Sequence, residues 1–383
     1  MAVRRTSRVM FISTGLSRGG AETQLVRLAI GLRRRHWEVA VVSLNGQCAF
    51  GDELRLADVD YFSLNVHRSP RTWLSAFRRS IALMQEWDPD ILVTFMYHAN
   101  LLGAMLTLCT GCPSIASIRT ERFGGPLREW LARIAGHANV AVTVNSANVA
   151  TSLVLRGVVE ADRTVVIPNA IDVGGERSVD EFRSGPVLRW LAVGRLYPAK
   201  DYPNLLHAFR KVVAMFPGSE LRIAGSGPLA RQLEEMASRL GLDSCVAFLG
   251  HRVDVDDLMR SSDALVLSSS WEGMPNVVME AMANGIPVVA TNVGGVSELV
   301  VDGETGLLCE KQNPQALARA MIALARMDPI ERYRMGAEGR RRILSRFSVP
   351  SIVDRWENLL RDHVERTESD RRPLAPWRAG QRR

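Results

Sequence analysis

Residues 264–300 of the chain, ALVLSSSWEGMPNVVMEAMANGIPVVATNVGGVSELV, contain the unit that decides the fold. Ala264–Leu267 and Pro287–Ala290 are short apolar runs, typical of buried strands. Asn276–Ala283, between them, has the composition of a helix. Pro275 suits the start of that helix because its φ is fixed and it lacks an N–H. The stretch therefore predicts one strand–helix–strand unit of a parallel sheet.

The same alternation of short β-branched runs and amphipathic helices extends along the whole chain, and it predicts parallel sheets covered by helices. The predicted strands are Arg8–Ser13, Glu38–Leu44, Val59–Leu64, Asp90–Phe95, Ser114–Ile118, Val140–Val144, Thr164–Ile167, Val187–Val193, Glu220–Ala224, Cys245–Leu249, Ala264–Leu267 and Pro287–Ala290. The clearest helices are Ala21–Arg35, Thr72–Glu86, Ser146–Arg156, Pro203–Met215, Leu229–Leu240, Asn276–Ala283 and Pro314–Arg326.

A stretch rich in Gly, Pro and charge, residues 168–186, interrupts this alternation and predicts a domain boundary. We therefore expect an α/β protein of two doubly wound domains that face each other across a cleft. The expected divisions are residues 1–172 for the first domain, 173–186 for a linker, 187–350 for the second domain, 351–365 for a helix that packs back on the first, and 366–383 for a disordered basic tail.

Length and composition fit this division. The 383 residues suit two domains of average size, and 46% hydrophobic with 23% charged residues is typical of a globular protein. Lys and Arg outnumber Asp and Glu by 48 to 41. That excess favours an anionic partner, such as phosphate groups, nucleic acid or an acidic membrane surface, although an Arg-rich composition alone would also explain it.

The cysteines and the apolar stretches bear on the compartment. Five cysteines lack a framework spacing, and the lone pair Cys109 and Cys112 has no nearby partner for a zinc site. The N-terminus lacks the long apolar region of a signal peptide. The longest apolar stretch, Ala99–Ile118, is broken by Gly and Pro and is better explained as a helix and a strand than as a membrane span. We expect a cytoplasmic protein whose membrane contact, if any, is peripheral.

Two loops of the second half are candidates for phosphate binding, because ligands of such sheets bind beyond the carboxyl ends of the strands. Arg195 and Lys200 follow the first strand of that half and provide two cations suited to a diphosphate. Gly225 and Gly227 follow the next strand and open a helix. Glycines there let a ligand approach backbone N–H groups, although a tight strand-to-helix turn would also need them.

The loop of residues 268–280 is the strongest candidate for a ligand site. The free N–H groups of residues 273–277 belong to a helix start and suit an anionic or hydroxyl-rich ligand. Glu272 precedes this helix and Glu280 lies about a turn inside it. A carboxylate can accept hydrogen bonds from a pair of vicinal hydroxyls, as in ribose or hexose recognition. Because Glu280 stands among apolar residues, a solvated surface position is a weaker interpretation.

Two further loops also present glycines before a helix, residues 292–298 and residues 15–22. The second of these is not a G-x-G-x-x-G sequence, and no acidic residue ends the second strand, where the ribose of a dinucleotide would need one. A dehydrogenase is therefore disfavoured.

Taken together, these loops resemble those of glycosyltransferase family 4, a group of two-domain GT-B enzymes that includes many bacterial polysaccharide and lipid-linked-sugar transferases. The resemblance covers nearly the whole chain. It is carried by GGAE near the N-terminus, PNAID at the domain junction, the GRL…K loop, AGSGPL, and the Glu-x7-Glu element in EGMPNVVME. Each motif alone is weak, but their order and spacing together are specific.

The resemblance implies a role for each matching residue. Arg195 and Lys200 would clamp the donor diphosphate, and Glu280 would bind the donor ribose. Glu272 would hold the transferred sugar. The other donor-binding residues that it implies are Gly273, Met274, Pro275 and Asn276 on the sugar, Gly225 and Gly227 in the glycine-rich loop, Arg252 and Val253 near the base, and Gly19 and Gly20 facing the diphosphate from the opposite domain.

The resemblance also implies a retaining hexosyl transfer in which the leaving diphosphate helps to deprotonate the acceptor hydroxyl. Cations and helix amides would stabilise the developing charge, so we expect no metal and no cofactor. Many relatives have a catalytic-site His after a strand of the first domain, in the loop that here contains Arg119 and Glu121. These two are candidates for the acceptor side. His98, in another loop after a strand, is the candidate for the missing His, with a packing role as the alternative.

The resulting prediction is a transferase of class EC 2.4 that moves a sugar from a nucleotide-diphosphate donor, with UDP the commonest nucleotide, to a lipid-linked or polysaccharide acceptor of the cell surface. Two alternatives stay open, a GT-B sugar-nucleotide epimerase and a non-catalytic nucleotide-sugar-binding protein. The Glu-x7-Glu element favours the transferase. We expect no nucleic-acid partner. The basic balance and the Arg-rich tail are compatible with docking on an anionic membrane, at the cytoplasmic face of the inner membrane.

Overall fold

The computed structural model describes residues 6–46, 48–66, 69–172, 186 and 188–370. Most of the predicted linker and the last thirteen residues of the predicted tail lie outside these ranges. The strands are β1 (Arg8–Ser13), β2 (Glu38–Ser43), β3 (Asp60–Ser63), β4 (Ile91–Phe95), β5 (Ser114–Ile118), β6 (Ala141–Val144), β7 (Thr164–Val166), β8 (Arg189–Val193), β9 (Glu220–Ala224), β10 (Val246–Gly250), β11 (Ala264–Leu267), β12 (Val288–Thr291) and β13 (Gly306–Cys309).

Helices connect these strands, as parallel pairing requires. They are α1 (Gly20–Arg33), α2 (Gly51–Leu56), α3 (Pro70–Trp87), α4 (Tyr97–Thr110), α5 (Pro126–Ala138), α6 (Ala147–Leu155), α7 (Tyr202–Met215), α8 (Ala230–Arg239), α9 (Val255–Arg260), α10 (Asn276–Ala283), α11 (Val296–Leu299), α12 (Pro314–Arg326), α13 (Pro329–Phe347) and α14 (Val349–Asp370). Among the described residues, no helix is long and apolar enough to cross a membrane.

The strands form two parallel sheets, which confirms the predicted architecture. The first has the order β3-β2-β1-β4-β5-β6-β7 and the second the order β10-β9-β8-β11-β12-β13. Central strands such as β4, β5, β11 and β12 are buried along their whole length, since helices cover both faces of each sheet. The strand order reverses beside β1 and beside β8. Loops after those strands therefore border the crevices in which such sheets bind ligands.

Each strand predicted from the sequence is present, with ends that shift by one or two residues. One strand was missed. Gly306–Cys309 has the sequence GLLC, which lacks the β-branched residues that revealed the other strands, yet it pairs with β12 from Val288 to Thr291. Tertiary pairing, rather than local propensity, makes this segment a strand.

The last helix returns to the first domain. Its residues Ile352, Trp356 and Leu360 are buried in the same core cluster as the helix α1 and the strands β1 and β4. The Trp356 ring stacks on the ring of Phe95 with centroids 6.2 Å apart. The backbone N–H of Ile171, before the linker, donates to the carbonyl of Phe347 at 2.9 Å. Ile171, near the end of the first domain, therefore lies beside the start of the helix that returns to that domain.

The prediction of a disordered tail from residue 366 was wrong for its first five residues. Helix α14 continues to Asp370, and the Thr367 hydroxyl donates to the His363 carbonyl at 2.8 Å within the helix. A helix that already packs on the first domain can be extended at a low cost in free energy, because each further residue adds a hydrogen bond without a new nucleation step. Residues 371–383 lie outside the described part of the chain.

Candidate functional site

The loops after β8 and β11 meet at a buried ion pair. Lys200 Nζ lies 2.7 Å from Glu272 Oε1, and the two side chains are 20% and 15% exposed. Ser269 Oγ donates to the same carboxylate oxygen at 2.7 Å. The sequence predicted that Lys200 would bind the donor diphosphate and that Glu272 would bind the transferred sugar. The structure brings them into direct contact, so that neither can be changed without leaving a charge unpaired.

The serine run of residues 268–270 holds these two loops together. Ser268 Oγ donates to the carbonyl of Lys200 at 2.8 Å, and the Ser270 N–H donates to the Ala199 carbonyl at 2.8 Å. Asp201 accepts from Ser270 Oγ at 3.1 Å and has the left-handed backbone angle φ +46°. Small hydroxyl side chains are needed here because they replace backbone pairing between loops that have left their strands.

Gly225 and Gly227 are explained by the packing of one loop on another. A Cβ on Gly225 would lie 2.0 Å from the Gly194 carbonyl oxygen, and one on Gly227 would lie 2.5 Å from the Leu196 carbonyl oxygen. The Leu196 N–H also donates to the Ser226 carbonyl at 2.9 Å. The glycines therefore position the loop that contains Arg195. From the sequence, these glycines were expected to allow either close approach of a ligand or a tight strand-to-helix turn. The contact between the two loops is a further reason for them, and donor binding by Gly225 and Gly227 stays a prediction.

Arg195 of the second domain and Glu22 of the first domain lie close enough for their charges to interact. The Arg195 guanidinium lies 5.2 Å from the centre of the Tyr197 ring. Burial raises the pKa of Glu22, and the positive charge of Arg195 acts in the opposite direction. A Cβ on Gly19 would come within 2.4 Å of Glu22 Oε2, so Gly19 makes room for this carboxylate. Glu22 was missed from the sequence, although it stands in the GGAE motif whose two glycines were expected to face the donor diphosphate.

The start of α10 offers unused donors. In the described part of the chain, the backbone N–H groups of Gly273, Met274, Asn276 and Val277 donate to no protein acceptor. N–H groups at a helix start have no intrahelical acceptor, so this helix start is suited to a ligand that supplies oxygen atoms.

Glu280 lies inside the same helix and is half-buried. Burial raises the pKa of this carboxyl group, as does the nearby Asp256, while Arg27 of the opposite domain and Lys200 act to lower it. Among the residues that the structure describes, none donates a hydrogen bond to the Glu280 carboxylate. A desolvated carboxylate without a protein donor is free to accept hydrogen bonds from ligand hydroxyls.

Asn276 connects the two domains at this point. Its side-chain amide donates to the Gly20 carbonyl at 3.1 Å and accepts from Asn169 Nδ2 at 2.7 Å. Asn169 also donates to the Met274 carbonyl at 3.0 Å. Gln24 of α1 exchanges two hydrogen bonds with the backbone of Ala170, at 2.6 and 2.8 Å. Asn169 and Gln24 were missed from the sequence, although Asn169 stands in the quoted PNAID motif.

Arg119, predicted for the acceptor side, reaches this interdomain network. Its guanidinium donates to Asn169 Oδ1 at 2.7 Å and to Ser117 Oγ at 2.9 Å, and lies 4.8 Å from the centre of the Phe95 ring. All three partners are neutral. Burial lowers the pKa of Arg119 to about 9. The structure therefore places a desolvated cation beside the Gly273 loop.

A second interdomain contact involves Glu298. Its Oε1 accepts from Ser146 Oγ at 2.7 Å and from the Asn148 N–H at 3.1 Å, both at the start of α6. The Gly295 N–H donates to the Gly273 carbonyl at 2.7 Å, which ties this contact to the Glu272 loop. A carboxylate at a helix N-terminus is favoured by the helix dipole and by the free N–H groups.

We expect Glu298→Ala to lower the free energy of unfolding by about 1 kcal/mol, because the start of α6 loses a charged acceptor supplied by the other domain. Chemical denaturation measures this loss. Glu234→Ala, at an exposed position of α8, is the matched control and should leave the stability unchanged. Equal stability of the parent and the Glu298 variant would mean that the contact contributes nothing.

Among the described residues, neither His98 nor Glu121 has a hydrogen bond or ring contact with the Lys200–Glu272 pair. His98 is in the first turn of α4, with its ring 5.9 Å from Trp73 and 5.2 Å from Tyr97 between centroids, which is a packing environment. Glu121 accepts from Ser152 Oγ at 3.1 Å within the first domain. Catalytic and acceptor roles for these two residues stay predictions.

Arg252 and Val253 follow β10, at the edge of the second sheet. Arg252 forms a bidentate pair with Asp254, and Val253 is 83% exposed. Asp254 is the N-cap residue of α9, but its carboxylate binds Arg252 and does not cap the helix. In the described ranges, no group of three or more His, Cys, Asp or Glu side chains is arranged to hold a metal ion.

Comparisons with known proteins identify similar sequences and similar folds. A family model described as Glycosyltransferase Family 4 matches residues 18–174, and one described as Glycosyl transferases group 1 matches residues 185–342. The lipopolysaccharide core biosynthesis glycosyltransferase LpsE of Rhizobium meliloti is 31% identical over 51% of this chain and 57% of its own length. An Escherichia coli UDP-Gal:alpha-D-GlcNAc-diphosphoundecaprenol alpha-1,3-galactosyltransferase is 27% identical over 52% of this chain and 54% of its own.

The chain thus spans about half of the length of these curated relatives. Among solved structures, Anabaena HepE in complex with UDP and glucose superimposes with a TM-score of 0.78, over 93% of this chain and all of that one, at 23% identity. That likeness shows the fold. Since family models match both halves and the two sheets have the GT-B arrangement, the chain belongs to glycosyltransferase family 4.

Proposed function

We propose that this protein is a retaining glycosyltransferase that moves a hexosyl group from a UDP-sugar to a hydroxyl of a lipid-linked or polysaccharide acceptor in cell-surface glycan biosynthesis. The observation that carries the proposal is the site at the second sheet. There the Lys200–Glu272 pair, the free amides at the start of α10 and the Glu280 carboxylate, which accepts no hydrogen bond from the described residues, belong to loops and a helix start at the carboxyl end of the sheet, where Arg195 also lies.

The donor assignment follows the chemistry of these groups. Arg195 and Lys200 provide positive charge for a diphosphate. The Glu280 carboxylate accepts from the ribose hydroxyls, and the N–H groups of Gly273, Met274, Asn276 and Val277 with Glu272 bind the sugar. UDP is favoured as the nucleotide because the structurally similar HepE was solved with UDP and with UDP-glucose, and because the Escherichia coli relative is named for UDP-Gal.

In the proposed reaction, the acceptor oxygen forms its bond to the anomeric carbon on the face from which the diphosphate leaves. The bond from that carbon to the phosphate oxygen breaks, and the acceptor proton passes to the departing phosphate. Lys200, Arg195 and the α10 amides stabilise the charge that develops on the diphosphate. We propose that these groups suffice without a resident metal or other cofactor.

The acceptor is proposed from the relatives and from the first domain. The Escherichia coli relative is named for a diphosphoundecaprenol acceptor, and the Rhizobium relative for lipopolysaccharide core biosynthesis. Arg119, a desolvated cation of the first domain whose carbonyl lies against Gly273, supports an acceptor site there. We propose a cytoplasmic location, at the cytoplasmic face of the inner membrane, where such acceptors are anchored.

Glu280→Gln is expected to weaken UDP binding, because a neutral amide accepts ribose hydrogen bonds less strongly than a carboxylate, with a change of roughly ten-fold in Kd. Calorimetric titration with UDP measures it. Glu234→Gln, on the exposed face of α8, is the matched control. An unchanged Kd would contradict the ribose assignment.

The Glu280→Gln variant also tests whether the Glu280 carboxyl group is buried. The folded-state pKa of Glu280 is raised above its ordinary value by burial, so the native state loses stability as the pH rises through that pKa. Glutamine has no such loss. The variant without donor should therefore gain Tm over the parent at pH 7, and the gain should shrink as the pH falls toward 4. A difference independent of pH would contradict this explanation.

The overall proposal is tested by incubation of the protein with radiolabelled UDP-sugars and a bacterial membrane extract. Label that moves to an organic-soluble or polymeric product supports the transferase. A chemically altered free donor would indicate an epimerase, and donor binding without turnover would indicate a non-catalytic protein. Either of the last two results would overturn the proposal.

A further inference from the structure

Two neighbouring helices of the first domain expose large apolar side chains. On α5, Leu127, Trp130 and Ile134 are 67%, 57% and 48% exposed. Their spacing of three and then four residues puts them on one face of the helix. On α4, Met105 and Leu108 are 51% and 77% exposed. Single exposed apolar residues are common, but five on two adjacent helices form a patch, and such patches are typical of interaction sites.

The two helices lie side by side and run in the same direction. They follow β4 and β5, which are parallel neighbours in the first sheet. Near their starts, the Tyr97 and Phe123 rings are 6.4 Å apart, and the Arg128 guanidinium lies 5.4 Å from the centre of the Tyr97 ring. Leu101 of α4 and Ala132 of α5 line the same small cavity. The exposed residues of both helices therefore belong to one surface, which we call the α4–α5 face.

Positive charge flanks this face. Arg128 and Arg133 stand on either side of the Leu127–Trp130–Ile134 stripe and are exposed. Within the described residues, neither is paired with a carboxylate. The acidic residues nearby are neutralised instead, since Glu129 pairs with Arg156 and Glu160 lies against His137 and Arg163. The α4–α5 face thus combines an apolar stripe with unbalanced positive charge.

The α4–α5 face also lies close to the site. Helix α5 begins directly after the loop of Arg119, whose carbonyl oxygen would lie 2.5 Å from a Cβ on Gly273. In the same loop, the Arg122 guanidinium stacks 4.2 Å from the centre of the Trp271 ring of the second domain. Whatever binds the α4–α5 face is therefore brought beside the entrance to the crevice.

We propose that the α4–α5 face docks the protein on an anionic lipid bilayer, with Leu127, Trp130 and Ile134 at the boundary between headgroups and acyl chains. An exposed helix with Trp and Leu on one side and Arg at its flanks has the composition of interfacial helices. Arg128 and Arg133 then lie at the level of the lipid phosphates. A second copy of the chain fits less well, because a symmetric contact would oppose these arginines to each other.

The consequence for function rests on the proposed lipid-linked acceptor. A bilayer under the α4–α5 face would present headgroup-level sugars beside the Arg119 loop and the Gly273 loop. Docking itself depends only on the surface, so that it can be tested separately from sugar transfer.

The test is flotation of the full-length protein with vesicles of phosphatidylcholine alone or mixed with phosphatidylglycerol. We expect binding to the mixed vesicles, and a loss of at least about ten-fold in the partition coefficient for the triple variant Leu127→Gln, Trp130→Gln and Ile134→Gln, because it removes the buried apolar area. Arg128→Gln with Arg133→Gln should reduce binding by roughly ten-fold or more and reduce its salt dependence, because two charges near the surface are lost.

Leu56→Gln and Ile330→Gln, at 86% and 53% exposed apolar positions elsewhere, are the matched controls and should bind like the parent. UDP binding by calorimetry verifies that each variant is folded. The proposal is overturned if the parent does not bind mixed vesicles, if the triple variant binds them like the parent, or if the α4–α5 variants instead abolish a concentration-dependent dimer seen by sedimentation. Vesicle binding without sugar transfer would overturn the proposed function and leave the docking intact.

Discussion

Replacing Lys200 with alanine is expected to lower kcat/KM for sugar transfer by roughly ten- to a hundred-fold, which corresponds to a lost charge-assisted contact of about 1.5–3 kcal/mol. Two effects act in the same direction. The donor diphosphate loses a cation, and Glu272, which Lys200 contacts at 2.7 Å, keeps a largely buried negative charge that repels the phosphates. Arg195→Ala should cause a loss of similar size through the first effect alone.

Initial rates at varied UDP-sugar concentration, together with UDP titrations, measure this loss. Lys200→Met is the variant of matched size, because the lysine stem packs so closely on Gly194 that a Cβ there would lie 2.8 Å from Lys200 Cε. It should behave like the alanine variant if charge is what matters. Lys211→Ala, at an exposed position of α7, is the control and should retain full activity. Parent-like rates for both Lys200 variants would exclude a diphosphate clamp at this position.

The fold could be predicted because its signal is local. β-branched runs, helical periodicity and Gly- or Pro-rich breaks each depend on residues close in sequence. Strand β13 was missed for the opposite reason, since its sequence has no strand preference and only pairing with β12 defines it. The end of α14 was predicted too early because its polar, charged sequence is typical of a disordered segment. The helix is stabilised by the packing of Trp356 and Leu360 on the first domain, which the local sequence does not reveal.

The site was predictable as a set of loops, but not as a set of contacts. The position of Lys200 and Glu272 after two different strands already places both at one edge of a sheet. Their pairing, however, depends on the serine run that joins the loops. Asn169, Gln24 and Glu298 form hydrogen bonds across the two domains, and no spacing within the chain relates positions separated by 105 to 252 residues. Contacts of this kind require the three-dimensional arrangement.

Gly273→Ala is expected to lower kcat by about a hundred-fold, the size of effect that a misplacement of about 1 Å has on a reaction that depends on position. The added methyl group would lie 2.5 Å from the Arg119 carbonyl oxygen and 3.0 Å from the Asn145 side chain, and both belong to the opposite domain. The backbone of Gly273 itself has no positive φ, so that alanine is tolerated within its own domain. The variant should therefore hold the two domains apart while the donor site stays intact.

This separation has a measurable signature. UDP binding to the Gly273 variant should change by no more than a few-fold, whereas kcat falls, because only the approach of the first domain is obstructed. Gly51→Ala is the control, since a Cβ there meets no atom within 4 Å. Parent-like turnover of the Gly273 variant would mean that the contact between Gly273 and Arg119 is absent when the sugar is transferred. The catalytic arrangement would then be more open than the one described, which would contradict the proposed role of Arg119 on the acceptor side.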